Sequence, residues 1–200
     1  MALLSYFREG VIEAGCDEAG RGCIAGPVVA ASVILPQDYH NELLDDSKKL
    51  TEKKRDILRK EIEQEAIAYA VSFIDHEEID RINILNASIL GMQNAVDKLL
   101  IQPELLLIDG NRFKPFRVPY ECFVKGDGRF LSIAAASVLA KTYRDEYMLD
   151  LDTEYPVYKW SKNKGYPTKD HCEAIESYGY SSYHRKTFHV KSLHQTKLDL

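Results

Sequence analysis

Hydrophobic residues along this chain follow two spacings, one typical of β-strands and one typical of α-helices. Apolar runs of strand length predict five strands, at residues 11–16, 27–35, 66–74, 104–110 and 119–124. Apolar residues at helical spacing predict helices at residues 52–65, 83–100, 130–149 and 168–178. The first two strands are joined by a glycine-rich turn and are expected to be antiparallel. The order of elements predicts an α/β fold with a mixed five-stranded sheet flanked by helices.

The chain changes character after residue 155. Residues 160–167 are basic and aromatic, and a helix follows that Thr168 can cap and Gly179 can end. We therefore expect a sheet-containing domain over residues 1–155 and a small helical extension over residues 156–200.

Charge is distributed unevenly along the chain. The net formal charge is −5, yet residues 159–200 hold eight Lys and Arg against four Asp and Glu, a net charge of +4, which leaves −9 on residues 1–158. A basic end beside an acidic body is typical of contact with an anionic polymer, but a solvated surface gives the same count. Charge alone leaves both interpretations open.

Other sequence features limit the class of protein. The four cysteines form no Cys-x-x-Cys pair, which disfavours a zinc site. No apolar run reaches the roughly 18 residues needed to span a bilayer. The N-terminal segment is short and soon charged, unlike a signal peptide. We therefore expect a cytoplasmic protein with no membrane association.

Four carboxylates stand beside turn signals. Asp17 and Glu18 follow the first predicted strand, Asp109 stands near the end of the buried strand at 104–110, and Asp127 lies in a Lys-Gly-Asp-Gly turn. Acids at the carboxyl edge of a sheet can bind two divalent ions, which activate water and stabilise the departing oxygen when a phosphodiester is cut. Taken singly, each acid could equally be a turn residue or a helix cap.

The stretch Gly15-Cys16-Asp17-Glu18-Ala19-Gly20-Arg21-Gly22 joins two of these acids to a glycine-bracketed arginine. Neighbouring strand residues point to opposite faces, so Asp17 and Glu18 can share one site only if the strand ends or bulges at Asp17. The two later glycines make such an ending possible. Glycine also lets backbone amides approach a ligand, and Arg21 can bind phosphate, although a Gly-Arg-Gly turn alone is ordinary.

Tyr166 lies in the basic segment Lys164-Gly165-Tyr166-Pro167-Thr168. Such an aromatic side chain can stack on a base or sugar, and the alternative is a packing residue beside the proline. His184, His189 and His194 recur every five residues, a spacing that neither a helix nor a strand places on one face. We expect these histidines to be solvated or core residues.

Several segments, in order over nearly the whole chain, carry a resemblance to known proteins. They are Gly15 to Gly22 with Gly26-Pro27-Val28, Asp46-Ser47-Lys48-Lys49-Leu50, Leu107-Ile108-Asp109-Gly110-Asn111, Lys125-Gly126-Asp127 with the stretch from Ala135 to Lys141 and Arg144-Asp145, Lys164 to Thr168, and His184-Arg185-Lys186-Thr187-Phe188. These segments resemble the motifs of bacterial ribonuclease HII, the type 2 ribonuclease H. Small departures at Gly128 and Thr142-Tyr143 touch none of the implied site residues.

The resemblance implies a ribonuclease H-like fold with a C-terminal helical extension that contributes to substrate binding. It implies an endonuclease that cuts the RNA strand of RNA–DNA hybrids, and that cuts 5′ of single ribonucleotides in duplex DNA. Two metal ions, Mn²⁺ or Mg²⁺, would give 5′-phosphate and 3′-hydroxyl ends. Carried over by motif, the catalytic and metal-binding acids are Asp17, Glu18, Asp109 and Asp127. The implied substrate-binding residues are Gly20, Arg21 and Gly22 at the 2′-hydroxyl and phosphate, Tyr166 on the following sugar, and Ser47 and Lys48.

The resemblance therefore predicts two partners, an RNA–DNA hybrid and ribonucleotide-containing duplex DNA, and we expect a monomer. Two other classes of protein stay open. A nucleic-acid-binding module on the same scaffold would lack chemistry and one or more of the four acids. A small-molecule phosphatase would have the acids, but the basic C-terminal segment and Tyr166 favour a polymeric substrate.

Overall fold

The structure of the protein, a computed structural model, describes residues 3–41, 43–44 and 50–188. Ser47 and Lys48 lie outside the described residues, as do His189 and His194. The strands are β1 (Glu13–Ala19), β2 (Val28–Ile34), β3 (Ala68–Ile74), β4 (Leu105–Asp109) and β5 (Tyr120–Phe123). The helices are α1 (Glu52–Glu65), α2 (His76–Ile82), α3 (Ile84–Asp97), α4 (Leu131–Glu154), α5 (Trp160–Asn163) and α6 (Lys169–Tyr178).

The five strands form one mixed sheet in the order β3-β2-β1-β4-β5. β2 is antiparallel to both β1 and β3, whereas β4 is parallel to both β1 and β5. The predicted α/β fold with a mixed five-stranded sheet is therefore confirmed. A parallel pair brings the carboxyl ends of β1 and β4 to the same edge, which is where ligand sites of α/β sheets form.

Helices cover both faces of the sheet. α4 packs on one face, with α1 against its outer side, and α3 packs on the other. The start of α4 is almost wholly apolar and buried, because it lies between the sheet and α1. Gly15 permits the closest approach: a Cβ there would lie 2.2 Å from the backbone carbon of Ser132.

One predicted element boundary is wrong in a way that matters for the site. The sequence predicts that the first strand ends at Asp17, but β1 continues to Ala19. Asp17 and Glu18 pair with Ala31 and Ala30 of β2 in an unbroken register, so the strand has no bulge there. Pairing with a fully buried neighbouring strand overrides the low strand preference of acidic residues.

The C-terminal segment folds onto the sheet-containing part of the chain. Trp160, Ala174 and Ile175 form a buried cluster with Ala25 and Met148. Thr168 caps α6 as predicted, since its side chain accepts a hydrogen bond from the amide of His171. This packing places the loop between α5 and α6 beside the end of β1.

Candidate active site

An open cleft of about 480 Å³ lies at the carboxyl edge of β1 and β4. Its lining is mostly polar or charged: Asp17, Glu18, Ala19, Gly20, Arg21, Gly22, Arg55, Asp109, Ser137, Lys141 and Tyr166. The cleft therefore brings together three of the four predicted acids, the Gly-Arg-Gly turn and Tyr166. No two of these groups lie close in the chain, apart from residues 17–22.

Strand pairing places Asp17 beside Asp109. Cys16 is level with Ile108 in the parallel pair of β1 and β4, so the next residue of each strand is an aspartate. Asp17 is 6% exposed. Its carboxylate accepts hydrogen bonds from the amide of Glu18 at 2.7 Å and from the hydroxyl of Ser137 on α4. Burial raises the pKa of Asp17 well above its ordinary value, and the negative charges of Glu18 and Asp109 raise it further.

Glu18 points to the other face of the sheet, as its place in a regular strand requires. It lines a second cavity of about 200 Å³ with residues of α3, among them Ser88 and Met92, and with Asp109. Its carboxylate forms an ion pair with Arg21 at 3.0 Å. Because the two cavities meet at the end of the strand, Asp17 and Glu18 can act on one ligand from opposite faces without a bulge.

Asp127 lies near this edge but in a different setting. It occupies a 3₁₀ turn, Gly126–Gly128, immediately before α4, and it is 4% exposed. The amide of Gly126 donates a 2.7 Å hydrogen bond to Asp109, which ties the turn to the acid edge. Asp127 is not one of the described residues that line the cleft. Its role as a fourth metal ligand stays a prediction.

The Gly-Arg-Gly turn rests on two buried arginines. Gly20 has φ +96°, a conformation that favours glycine, and a Cβ there would lie 2.0 Å from Nε of Arg144. Arg144 donates to the carbonyls of Ala25, Pro27 and Lys164 at 3.1, 2.9 and 2.7 Å.

Arg185 also donates hydrogen bonds to the backbone of this segment. It donates to the carbonyls of Gly26 at 3.0 Å and Arg21 at 3.2 Å. With Arg144, it therefore fixes the backbone of the segment from Arg21 to Pro27 from the inside.

Tyr166 closes the other side of the cleft. Its ring carbon Cε1 would lie 3.7 Å from a Cβ added at Gly22, so the ring faces the turn. The side chain is 42% exposed, and its hydroxyl donates to the thiol of Cys23. An aromatic ring held at one end and open to solvent on a face is suited to stacking.

Three residues that line the cleft were given no role from the sequence: Ser137, Lys141 and Arg55. Ser137 and Lys141 lie one turn apart on α4, and the available signal was a serine within the mostly apolar first half of that helix, with a lysine where the apolar run ends. Lys141 is paired with Asp145 at 2.6 Å. Arg55 comes from the first turns of α1, and only tertiary packing brings it to the cleft.

The donor set suits a hard divalent cation. Asp17 and Asp109 bring carboxylate oxygens together at a buried edge. The pKa of Asp17 is raised first by burial and then by the charges of Glu18 and Asp109, and a cation bound there would neutralise that negative charge. Within the described ranges, no three His, Cys, Asp or Glu side chains are grouped as a ready-made metal site. Mg²⁺ and similar ions commonly bind through one or two carboxylates, with water and substrate phosphate completing the shell. The residues therefore fit an ion that is held jointly with substrate.

The fold defines the class first: a mixed five-stranded sheet with helices on both faces is the ribonuclease H-like α/β fold of solved ribonucleases H2, HII and HIII. Ribonuclease H2 from Pyrococcus horikoshii superposes with a TM-score of 0.74 at 24% identity, over 92% of this chain and 95% of that one. RNase HII from Archaeoglobus fulgidus, solved in a complex with PCNA, gives 0.73 at 23% identity, over 90% and 96%. The more distant Bst-RNase HIII, solved in complex with Mn²⁺, gives 0.66 at 19% identity, over 88% and 64%. At these identities the likeness establishes the fold alone.

Sequence comparison identifies the particular family. The profile of the family Ribonuclease HII matches residues 14–196. Ribonuclease HII of Parabacteroides distasonis is 63% identical over 187 residues, which cover 93% of this chain and 94% of the relative. Ribonuclease HII of Bacteroides thetaiotaomicron is 61% identical over 189 residues, 94% of each chain. The chain belongs to the Ribonuclease HII family and is a ribonuclease H, a phosphodiester hydrolase from a family that depends on divalent metal ions.

Proposed function

We propose that this protein cuts the RNA strand of RNA–DNA hybrids and also cuts 5′ of single ribonucleotides embedded in duplex DNA. Both reactions would leave 5′-phosphate and 3′-hydroxyl ends. The observation that supports this proposal best is the shared cleft: Asp17 and Asp109 line it together with the turn from Gly20 to Gly22. A site that discriminates RNA from DNA must contact the 2′-hydroxyl, and a glycine turn offers backbone groups without side-chain bulk.

The acids would hold two divalent ions, Mn²⁺ or Mg²⁺. Bound there, such ions supply an activated water and neutralise charge on the departing oxygen. Asp17 and Asp109 are the proposed shared ligands, because they stand side by side at the end of neighbouring parallel strands. Glu18 would act from the α3 side of the sheet and Asp127 from the turn attached to Asp109.

The chain's own residues would orient the substrate around these acids. Gly20, Arg21 and Gly22 would contact the 2′-hydroxyl and the phosphate at the junction, and Tyr166 would stack on the following deoxyribose. In the free protein, Arg21 is paired with Glu18, so substrate phosphate would compete for that guanidinium. Lys141 adds positive charge to the same cleft.

Several further properties belong to the proposal. Ser47 and Lys48 would contribute to substrate binding, and so would the helical extension over residues 156–200 that follows the domain over 1–155. We infer a monomeric, cytoplasmic enzyme that takes part in the excision of ribonucleotides from DNA. Within the described ranges, no helix is both long enough and apolar enough to cross a membrane.

The test compares three duplexes of the same sequence: all DNA, DNA with one ribonucleotide, and an RNA–DNA hybrid. With Mn²⁺ or Mg²⁺, the protein should nick the second 5′ of the ribonucleotide, cut the third, and leave the first intact; EDTA should stop both reactions. Glu18→Gln should be inactive, whereas Asp150→Asn, an exposed acid on α4, should cut normally. If the protein left the hybrid uncut but hydrolysed a phosphomonoester, it would be a small-molecule phosphatase instead.

A further inference from the structure

A buried polar network lies directly behind the loop that presents Tyr166. Trp160, His171 and His184 are each 0% exposed. The indole Nε1 of Trp160 donates to Nε2 of His171 at 3.0 Å, and Nε2 of His184 lies 3.1 Å from the same nitrogen. The other ring nitrogen of His171, Nδ1, lies 2.9 Å from the backbone carbonyl oxygen of Tyr166.

The partners of this network fix where its protons are. A carbonyl oxygen can only accept, so Nδ1 of His171 carries a proton and donates to Tyr166. Nε2 of His171 is then bare, and it accepts from Trp160 and from the Nε2–H of His184. Nδ1 of His184 accepts from the amide of Ser181 at 2.9 Å. Every ring nitrogen is satisfied with both imidazoles neutral, and burial lowers the pKa of both, which is consistent with that state.

The network holds the backbone of Tyr166 rather than its side chain. The carbonyl of Tyr166 accepts from His171 and from the amide of Thr168 at 2.8 Å, and its amide donates to the carbonyl of Asn163 at 2.9 Å. Gly165 is fixed in the same way, since its carbonyl accepts from the amide of Ile24. The ring extends into the cleft, so its placement depends on these backbone contacts together with the hydrogen bond from its hydroxyl to Cys23.

We infer that His171 is a positioning residue for substrate recognition: through Nδ1 it fixes the Tyr166 backbone so that the ring faces the Gly-Arg-Gly turn. Trp160 and His184 orient His171 by occupying its other nitrogen. The inference rests on the proposed role of Tyr166 at the ribonucleotide junction. A displaced ring would stack poorly, and misplacements of about 1 Å can cost about 100-fold in rate.

Two substitutions separate the two functions of the imidazole. The amide of asparagine takes the place of Nδ1, so His171→Asn keeps the donor to Tyr166 and removes the acceptor for Trp160. The amide of glutamine reaches the place of Nε2, so His171→Gln keeps that acceptor and removes the link to Tyr166. If His171 had a purely structural role, each variant would lose activity in proportion to its loss of stability, whichever nitrogen is replaced.

The experiment measures kcat/KM on duplex DNA with one ribonucleotide and on an RNA–DNA hybrid, together with the melting temperature of each variant. The ratio of interest is kcat/KM on duplex DNA with one ribonucleotide divided by kcat/KM on the hybrid. His171→Gln should lower this ratio at least roughly tenfold, whereas His171→Asn should keep it within about twofold of wild type. Tyr166→Ala should lower the ratio too, and the double variant Tyr166→Ala/His171→Gln should be no worse than Tyr166→Ala. Ile175→Val, in the same buried cluster, should lower the melting temperature and leave the ratio unchanged.

The outcomes distinguish this inference from the proposed function. If Tyr166→Ala lowers the ratio but His171→Gln does not, the positioning role is overturned and the function of Tyr166 stands. Additive losses in the double variant would also overturn it, because His171 would then act independently. If Tyr166→Ala itself leaves the ratio unchanged, the proposed role of Tyr166 fails, and the inference fails with it.

Discussion

Replacing Asp17 by asparagine is expected to stabilise the metal-free protein while abolishing cleavage. Asp17 is buried beside Glu18 and Asp109, and burial with these two charges raises its pKa well above the ordinary value. Asparagine removes the charge but keeps Oδ1, which accepts from the amide of Glu18 at 2.7 Å. The substitution therefore relieves repulsion without leaving that amide unsatisfied.

The size of the effect follows from the strand geometry. Neighbouring strands lie about 4.8 Å apart, so two side-by-side carboxylates separated by about 5–6 Å repel by about 3 kcal/mol at an effective dielectric constant of about 20. Allowing for screening by water at this open edge, we expect a gain of about 1–3 kcal/mol in the free energy of unfolding at pH 7. For a chain of this size that gain raises the melting temperature by roughly 2–12 °C.

The assay is urea denaturation in EDTA across a range of pH. A carboxylate whose folded-state pKa is raised loses stability as the pH rises from its unfolded value of about 3.9 through its folded value. Wild type and Asp17→Asn should therefore agree at the acid end and diverge toward neutral pH, with the variant more stable. Mn²⁺ should reduce this difference in the free energy of unfolding, because it binds and stabilises wild type but not the variant. Asp97→Asn, at an exposed ion pair with Arg117, is the control and should change stability by less than about 1 kcal/mol.

Two results would refute this reasoning. A variant less stable than wild type in EDTA at pH 7 would mean that the carboxylates do not repel one another in the free protein. Undiminished cleavage by the variant would mean that Asp17 holds no essential ion.

Three further substitutions, one of them with a matched control, test the framework around the site. Gly15→Ala adds a Cβ 2.2 Å from the Ser132 backbone, so it should lower the free energy of unfolding by at least about 1–3 kcal/mol and remove much of the activity. The control is Gly128→Ala, where an added Cβ meets no atom within 4 Å. It should change neither urea denaturation nor cleavage noticeably. Arg144→Met leaves three carbonyls without their donor and should cost about 3–5 kcal/mol; a loss below about 1 kcal/mol would contradict the support described here. Burial lowers the pKa of His184 from 6.5 to about 4, so stability should fall as the pH drops from 6.5 to 4, by up to about 3 kcal/mol, and His184→Gln should flatten that dependence.

Local sequence signals were sufficient for much of the acid edge. The buried run ending in Asp109 predicts an aspartate at the carboxyl edge, and β4 does end there. What the sequence could not supply is the pairing that decides where β1 ends. Because Ala30 and Ala31 of β2 pair with Glu18 and Asp17, the strand continues past the acids, and the two side chains reach the site from opposite faces.

The support behind the site was also beyond sequence reasoning, because it depends on contacts between distant parts of the chain. Arg144 and Arg185 carry no periodic signal for binding the segment from Arg21 to Pro27, yet each donates to its carbonyls. His184 was expected to be solvated or part of the core, and its place in the core is confirmed. Its partnership with His171 could not be predicted, since the two residues meet only when α6 folds back.

The central claim is that divalent ions held by Asp17 and Asp109 contact the phosphate 5′ of an embedded ribonucleotide. Replacing the non-bridging oxygens of that single phosphate by sulfur, one at a time, tests the claim most directly, because sulfur binds Mg²⁺ poorly and softer ions such as Mn²⁺ or Cd²⁺ better. Cleavage in Mg²⁺ should fall strongly for at least one of the two sulfur isomers and recover on adding the softer ion. Equal cleavage of both isomers in Mg²⁺, at the rate of the unmodified duplex, would contradict metal contact with the scissile phosphate.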